Sequence, residues 1–366
     1  MSSNTKPIDR FFLLSIVVLT IAGFVIFLSA SLGLLAQTGV NFGTIALKQT
    51  ISLVIGIILF IIFSRFSYHK IRKLAFWGFI IAIGVNLLLF IPSLSLYHGG
   101  ATRWIDISFI SFQPSELLKI TFIVYLAAWI HFAKDRIKTF KFGLLPYMII
   151  MGILSLLLLI QSDTDTLLVI GFTGIMMLFI AGLPLKHTII SGLLMALIVV
   201  GVIWFRTDAL ERVKVFLNHS ADQQGAGYQI NQSLIAIGSG QMIGRGVGQS
   251  IQKFGYLPEP IGDSIFAVAA EEFGFVGSSI LLVLYILLAI SSFRVGTRAQ
   301  DNFGGIVAIG IAILIIIESF MNIGAMLGVI PLSGMPLLFV SHGGTALVII
   351  LAATGIVANV SRYPKE

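Results

Sequence analysis

From Phe11 to about Leu35 the chain carries no charged residue, and nine more predominantly apolar stretches follow near 47–64, 74–92, 117–133, 143–161, 166–182, 188–205, 264–293, 303–329 and 341–361. About 20 apolar residues cross roughly 30 Å of hydrocarbon as a helix. Lipid satisfies no backbone N–H or C=O, so segments like these must be helical, and their unbroken runs lack the alternation of barrel strands. Composition agrees: 57% hydrophobic and 11% charged residues, with a mean hydropathy of +1.02, against roughly 45–50% and roughly 25% in soluble domains. The expected fold is therefore all-α and polytopic, about ten transmembrane helices forming one integral membrane domain over residues 1–366. The first run is longer than a signal-peptide core and reads as a retained span. The absence of cysteine removes disulfides, iron–sulfur clusters and thiol catalysis.

Charge sets the orientation. With a cytoplasmic N-terminus, the inside segments hold fifteen basic residues, among them Lys70, Lys73, Lys134, Arg136, Lys138 and Lys141, against Asp9, Asp135, Asp301 and Glu366, a balance of +11. The other segments balance to −4, so the positive-inside rule holds with both termini cytoplasmic. Basic residues dispersed over many short loops also explain the pI of 9.6 without nucleic acid. Three segments then fall outside: 93–116, the long 206–263 loop between the seventh and eighth helices, and 330–340. Chemistry is expected there, because a connection longer than roughly 15 residues is usually functional or disordered. The embedded apolar residues and glycines of 206–263 argue against simple disorder.

The first outer segment holds Gly100-Ala101-Thr102-Arg103-Trp104-Ile105-Asp106 and then Phe112-Gln113-Pro114-Ser115-Glu116-Leu117-Leu118-Lys119. Gln113, Pro114 and Ser115 read as a helix start with Glu116 favourable in its first turn. Glu116 and Lys119 share a helical face and can pair. A stabilising ion pair is the plain reading, but Lys119 falls inside a span, where an ionisable group by default marks function.

The long loop carries Gly227-Tyr228-Gln229, a glycine cluster from Gly238 to Gly248 that includes Arg245, then Gln252-Lys253 and Tyr256-Leu257-Pro258-Glu259-Pro260-Ile261-Gly262-Asp263. No strand precedes the glycines and no Gly-Lys-Ser/Thr follows, which excludes a dinucleotide fingerprint and a P-loop. Glycines permit close backbone approach to a ligand, and Arg245 and Lys253 can meet phosphate oxygens. Asp263 stands where the loop meets the eighth span. A carboxylate there either caps the helix or, with its pKa raised by low-dielectric surroundings, serves as a general base. Glu271 and Glu272 lie deeper and require water or a cation, for which Lys119 is the candidate.

Taken in order, these stretches resemble the FtsW/RodA family of shape, elongation, division and sporulation (SEDS) proteins. The match includes Arg103-Trp104, Gln113-Pro114-Ser115-Glu116 with Lys119, Gly227-Tyr228-Gln229, Gln252-Lys253, Leu257-Pro258-Glu259, Asp263, Glu271-Glu272 with Gly274, Asn322-Ile323-Gly324, Pro331, Gly334, Pro336 and Ser341-His342-Gly343-Gly344. The resemblance implies a bacterial inner-membrane peptidoglycan glycosyltransferase that polymerises lipid II at the outer face, with Asp263 as the catalytic carboxylate. It also implies a class B penicillin-binding protein as partner, alongside other divisome or elongasome membrane proteins. Tyr256-Leu257-Pro258-Glu259 is worded more like the division branch than the elongation branch. The chain departs from the family at Gln161-Ser162-Asp163-Thr164-Asp165-Thr166, which lacks the usual Pro and Gly, at His342 in place of Tyr, and at Leu338 in place of Pro.

In such a reaction Asp263 takes the proton of the acceptor sugar's 4-hydroxyl as its oxygen attacks the donor's anomeric carbon with inversion. Arg103, Arg245 and Lys253 are candidate stabilisers of the departing pyrophosphate, with Glu259 and Ser341 as further substrate-contact candidates, and Gln113, Glu116, Lys119, Glu271 and Glu272 in support. The chemistry leaves room for a divalent cation such as Mg2+ or Mn2+, though no dedicated cage is visible. The rival expectations are a lipid II flippase, whose pathway the intramembrane charges would line, and a scaffold for cell-wall enzymes.

Overall fold

The computed structural model describes residues 6–36, 41–98, 101–107, 110–218 and 225–365; Gly100 and the 219–224 part of the long loop lie outside them. The expected stretches fold as helices: α1 (Arg10–Ser31), α2 (Phe42–Arg65), α3 (Tyr68–Leu87), α4 (Pro114–Ala133), α5 (Leu145–Ile160), α6 (Thr164–Ile180), α7 (Leu185–Phe205), α10 (Ile265–Arg298), α11 (Asn302–Met326) and α12 (Gly344–Ser361). Nine of them, among the described residues, are long and apolar enough to cross a membrane, α5 when taken with the helical turn before it as Phe140–Ile160, while α6 is apolar but has only 17 residues. The protein is thus a multi-pass membrane protein, with α11 and α12 largely buried and α7 at the rim, its Leu193 and Leu197 about two-thirds exposed to lipid at 65% and 66%.

Two connections hold structure that apolar patterning does not announce. The 93–116 segment is a three-stranded antiparallel meander, β1 (Ser95–His98), β2 (Ala101–Ile107) and β3 (Ile110–Phe112), so the fold is all-helical only within the membrane. The long loop forms α8 (Thr207–Leu217) and α9 (Ala226–Ser239), too short to span, followed by successive turns. In α8, Val215 is buried on the side that also carries Arg212.

Helix α10 is bent at Gly274, whose φ of 66° and ψ of −166° break the helical ladder. Such a break inside the membrane is tolerated only if protein supplies the lost hydrogen bonds. The 241–246 turn supplies them: Phe275 N donates to Gln241 O (2.8 Å), Val276 N to Met242 O (3.0 Å), Arg245 N to Glu271 O (3.0 Å) and Gly246 N to Glu272 O (3.0 Å). A Cβ on Gly274 would stand 2.3 Å from Gly244 N, and Gly244 itself has φ +80°, so both positions require glycine. The close approach expected of this glycine cluster is therefore to α10 itself rather than to a ligand.

Candidate functional site

Asp263 lies in a tight turn immediately before α10, and neighbouring segments fix that turn through its backbone. Gly262 N and Ser264 N donate to Glu259 O, the Ser341 hydroxyl donates to Gly262 O (2.7 Å), His342 N donates to Ile261 O (2.7 Å), and Asn322 Nδ2 donates to Asp263 O (2.8 Å). Ser264 occupies the N-cap position of α10, and the Asp263 carboxylate makes no capping bond. Among the described residues that carboxylate has neither a hydrogen bond nor an ion pair. Helix capping does not account for it.

Three other segments converge on the same spot. A Cβ built on Gly334 would lie 3.7 Å from Asp263 Oδ2, 3.8 Å from Arg103 Nη1 and 4.0 Å from Asp165 Oδ2, so the three side chains face one small space over the 330–340 turn. Arg103, on β2, reaches the α5–α6 turn, where it donates to Ser162 O and its Nε stands 3.9 Å from Asp163 Oδ1. The Gln161–Thr166 turn forms without Pro or Gly: Ser162 adopts φ +62°, and Asp163 caps α6 by accepting from Thr166 N. Asp165 pairs with Arg212 of α8 at 3.3 Å and accepts from Gly334 N at 3.3 Å. Around this mouth Arg103 Nε, Asp163 Oδ2, Asn322 Oδ1 and Ser333 Oγ are buried without hydrogen-bond partners among the described residues. Buried polar groups are usually paired, so these four leave the mouth incompletely satisfied.

Burial is the main reason that the Asp263 carboxyl is pushed up to about 7, and the nearby Glu259 and Asp165 carboxylates raise it further while Arg212 and Arg103 oppose them. A carboxylate poised near neutrality can accept a proton and release it again. Glu259, at φ +46°, is held beside the turn, with Oε2 3.3 Å from where a Gly262 Cβ would stand. It is an electrostatic neighbour of Asp263.

Several sequence expectations are corrected. Ser341 is not free to meet a ligand: it is buried, its hydroxyl donating to Gly262 O and accepting from Leu337 N at 2.8 Å. Lys253 and Arg245 do not face Asp263. Lys253 is fully buried against Glu272 (2.6 Å) and Ser29 O (2.9 Å), and Arg245 pairs with Glu271 (3.3 Å). Glu271 also accepts from Ser250 Oγ, Ile251 N and Gln252 N. Lys119 is accordingly not their cation. It pairs with Glu116 at 2.9 Å, as the i,i+3 spacing predicts, and with Glu318 of α11 at 2.7 Å, all three being buried. Gln113 holds the N-cap position of α4, with its Nε2 on Ser115 Oγ (3.1 Å) and its backbone N donating to Thr345 Oγ1 (3.4 Å). His342 stacks on Phe27 with ring centroids 5.8 Å apart, so the replacement of Tyr keeps an aromatic contact.

Sequence reasoning missed Arg212, Asp165 and Glu318. Arg212 and Asp165 come from helices whose relation to Asp263 is purely tertiary. Glu318 carried a usable signal, a lone carboxylate in an otherwise apolar span that needs a cation as Lys119 needs an anion. No three carboxylate or imidazole groups among the described residues stand where one metal ion could be held. The acidic groups of the mouth instead face Arg103 and Arg212, so this donor set does not fit a resident cation.

Comparison with known proteins gives a consistent result. The cell cycle protein family of FtsW, RodA and SpoVE matches residues 9–366. The chain is 36% identical over 363 residues to a probable peptidoglycan glycosyltransferase FtsW of Geobacter sulfurreducens, covering 98% of this chain and 97% of that one. It is also 36% identical over 320 residues to the stage V sporulation protein E of Bacillus subtilis, covering 87% of each. Among solved structures, a chain from a peptidoglycan synthase complex in which polymerization and crosslinking are coordinated superposes with a TM-score of 0.79 at 25% identity, over 97% of this chain and 98% of that one. The Thermus thermophilus rod shape determining protein RodA superposes with a TM-score of 0.69 at 23% identity over 97% of both chains, a likeness of fold.

Proposed function

This chain belongs to the FtsW, RodA and SpoVE family, and from that premise we propose that it is a peptidoglycan glycosyltransferase that polymerises lipid II with Asp263 as general base. The observation that carries the assignment of the base is the Asp263 carboxylate itself: uncapped, unpaired among the described residues, raised to about 7 and faced by two arginines. Asp263 accepts the proton of the acceptor sugar's 4-hydroxyl while that oxygen forms the bond to the donor's anomeric carbon, and the bond from that carbon to the pyrophosphate oxygen breaks on the opposite face. Negative charge grows on the leaving group, and Arg103 and Arg212 are the cations of the mouth able to meet it. Arg245 and Lys253 serve architecture instead.

The site faces outward in this reading, with both termini cytoplasmic. A reporter fused after Lys141 should be found in the cytoplasm and one inserted at Gln223, beyond the described residues, outside; the reverse would overturn the sidedness. A class B penicillin-binding protein is the expected partner, and the wording Tyr256-Leu257-Pro258-Glu259 favours service at division.

The function is tested with purified protein, partner and lipid II in detergent, where transport has no meaning and a flippase would make no glycan. Wild type should produce strands. Asp263→Asn should lose about 10²–10⁴-fold in rate while folding and partner binding persist, since Asn keeps the size but cannot take the proton. Near wild-type rates in that variant would remove Asp263 as the base.

A further inference from the structure

At the opposite end of the molecule, the ends of α4, α6 and α10 and the start of α11 surround a cavity of about 470 Å³. Beside it α10 and α11 close on each other through glycines: a Cβ on Gly296 would stand 2.9 Å from Gly305 O, and one on Gly305 2.8 Å from Gly296 O. The cavity's apolar side is built from Ile130, Ile180, Ile306 and Ile309, while His131, Thr297 and Asn302 also line it. Its rim is cationic, with Lys134, Lys138 and Lys365 all lining it. The chain reverses at Lys134, where φ is +48°, and Lys134–Lys138 then wraps as a short 3-10 turn that brings Lys134 and Lys138 to the same opening.

The charges do not cancel within the rim. Asp301 is already answered by Arg72 (3.3 Å) and His69 (3.7 Å), which leaves Asp135 as the other acidic group facing the three ammonium groups. None of those three lysines makes a side-chain ion pair or hydrogen bond among the described residues. A site for a small free anion would need no greasy wall. Here the wall includes Ile180, which is 45% exposed on the outer face of the helix bundle. An apolar slot under a basic rim, at the level where helices leave the membrane, matches a lipid with a negatively charged headgroup.

We propose that this cavity binds an anionic glycerophospholipid of the cytoplasmic leaflet, its phosphate between Lys134, Lys138 and Lys365 and an acyl chain against Ile180, Ile306 and Ile309. The inference uses the orientation proposed above. Detergent has no leaflets, so a failure of lipid binding there would leave the reporter result for sidedness untouched.

The test is native mass spectrometry of the full-length protein in detergent, titrated with dioleoyl-phosphatidylglycerol, with dioleoyl-phosphatidylcholine or with inorganic phosphate. Wild type should retain phosphatidylglycerol at least about tenfold more tightly than phosphatidylcholine, and millimolar inorganic phosphate should not displace it. Lys134→Ala combined with Lys138→Ala should abolish the preference. Lys365→Ala, outside every helix, should weaken it about fivefold without threatening the fold. Lys70→Ala with Lys73→Ala, at the same end of the bundle but off the cavity, should change nothing. Equal retention of phosphatidylcholine, displacement by phosphate, an undiminished preference in both lysine variants, or equal loss in the Lys70 and Lys73 control would each overturn the proposal.

Discussion

Asp263 precedes α10 and Glu271 and Glu272 lie within its first turns, yet the protein surrounds these carboxylates in opposite ways. Glu271 accepts from Arg245, Ser250, Ser239 and two backbone N–H groups, and Glu272 from Lys253 and Ser29. The Lys119 cluster is equally closed, with Glu116 and Glu318 on one ammonium. These groups fasten elements together: Lys253 ties the long loop to α1 and α10, and Lys119 ties α4 to α11. The Asp263 mouth has the same ingredients left open, two arginines and four carboxylates with orphaned polar atoms between them. Ionisable residues in this molecule therefore divide by whether their partners saturate them. Only the unsaturated set is equipped to exchange a proton with something that arrives.

The sharpest way to break that division is to remove a cation from the closed set. Lys253→Met leaves Glu272 buried with no counter-charge, and losing one partner of a buried pair costs about 3–5 kcal/mol. Its unfolding midpoint in detergent should fall far below that of wild type, whereas Asp263→Asn should unfold close to wild type. A stable Lys253→Met beside an unstable Asp263→Asn would reverse the roles assigned to the two regions.

The spans were legible in the sequence because hydrocarbon admits so few solutions, and the Glu116–Lys119 pair was legible because helical spacing is local. The partners of Glu271 and Glu272 were not. Intramembrane charge balance says that cations must exist, but choosing Lys253 and Arg245 over Lys119 depends on how the 241–256 turns fold back on the Gly274 bend. The β-meander also escaped, being short strands in a polar connection. At the mouth, Asp263 and Arg103 were read from motifs, while Arg212 and Asp165 arrive from α8 and α6 and carry no motif of their own.

A smaller effect tests the open set. Arg212→Ala removes a cation that faces both Asp165 and Asp263, so polymerisation should drop on the order of tenfold, with little change in unfolding because its side chain is 35% exposed. An unchanged rate would remove Arg212 from the leaving-group role and leave it to Arg103. Arg245→Ala is the matched control from the closed set and should cost less in rate.

The smallest effect, and the one that reads the mouth most directly, is a shift in pH dependence. The base form of Asp263 accumulates as pH rises through about 7, so polymerisation in wild type should fall on the acid side of that value. Burial raises this carboxyl first, and the Glu259 carboxylate adds to it by repulsion. Glu259→Gln keeps the side chain's size and deletes the repulsion, so Asp263 should ionise more readily and the acid limb should move to lower pH with the plateau nearly kept. Arg212→Ala deletes an attraction and should move the limb upward. Stability runs the opposite way. Between the ordinary value of 3.8 and about 7 the folded protein holds a proton that the unfolded chain has released, so this group's contribution declines as pH rises through that window, and Glu259→Gln should make the decline shallower. Rates measured from about pH 5.5 to 8.5 on wild type and both variants decide it. An acid limb that stays fixed in Glu259→Gln, or moves upward, would mean that the titrating group of the reaction is not the carboxylate at 263.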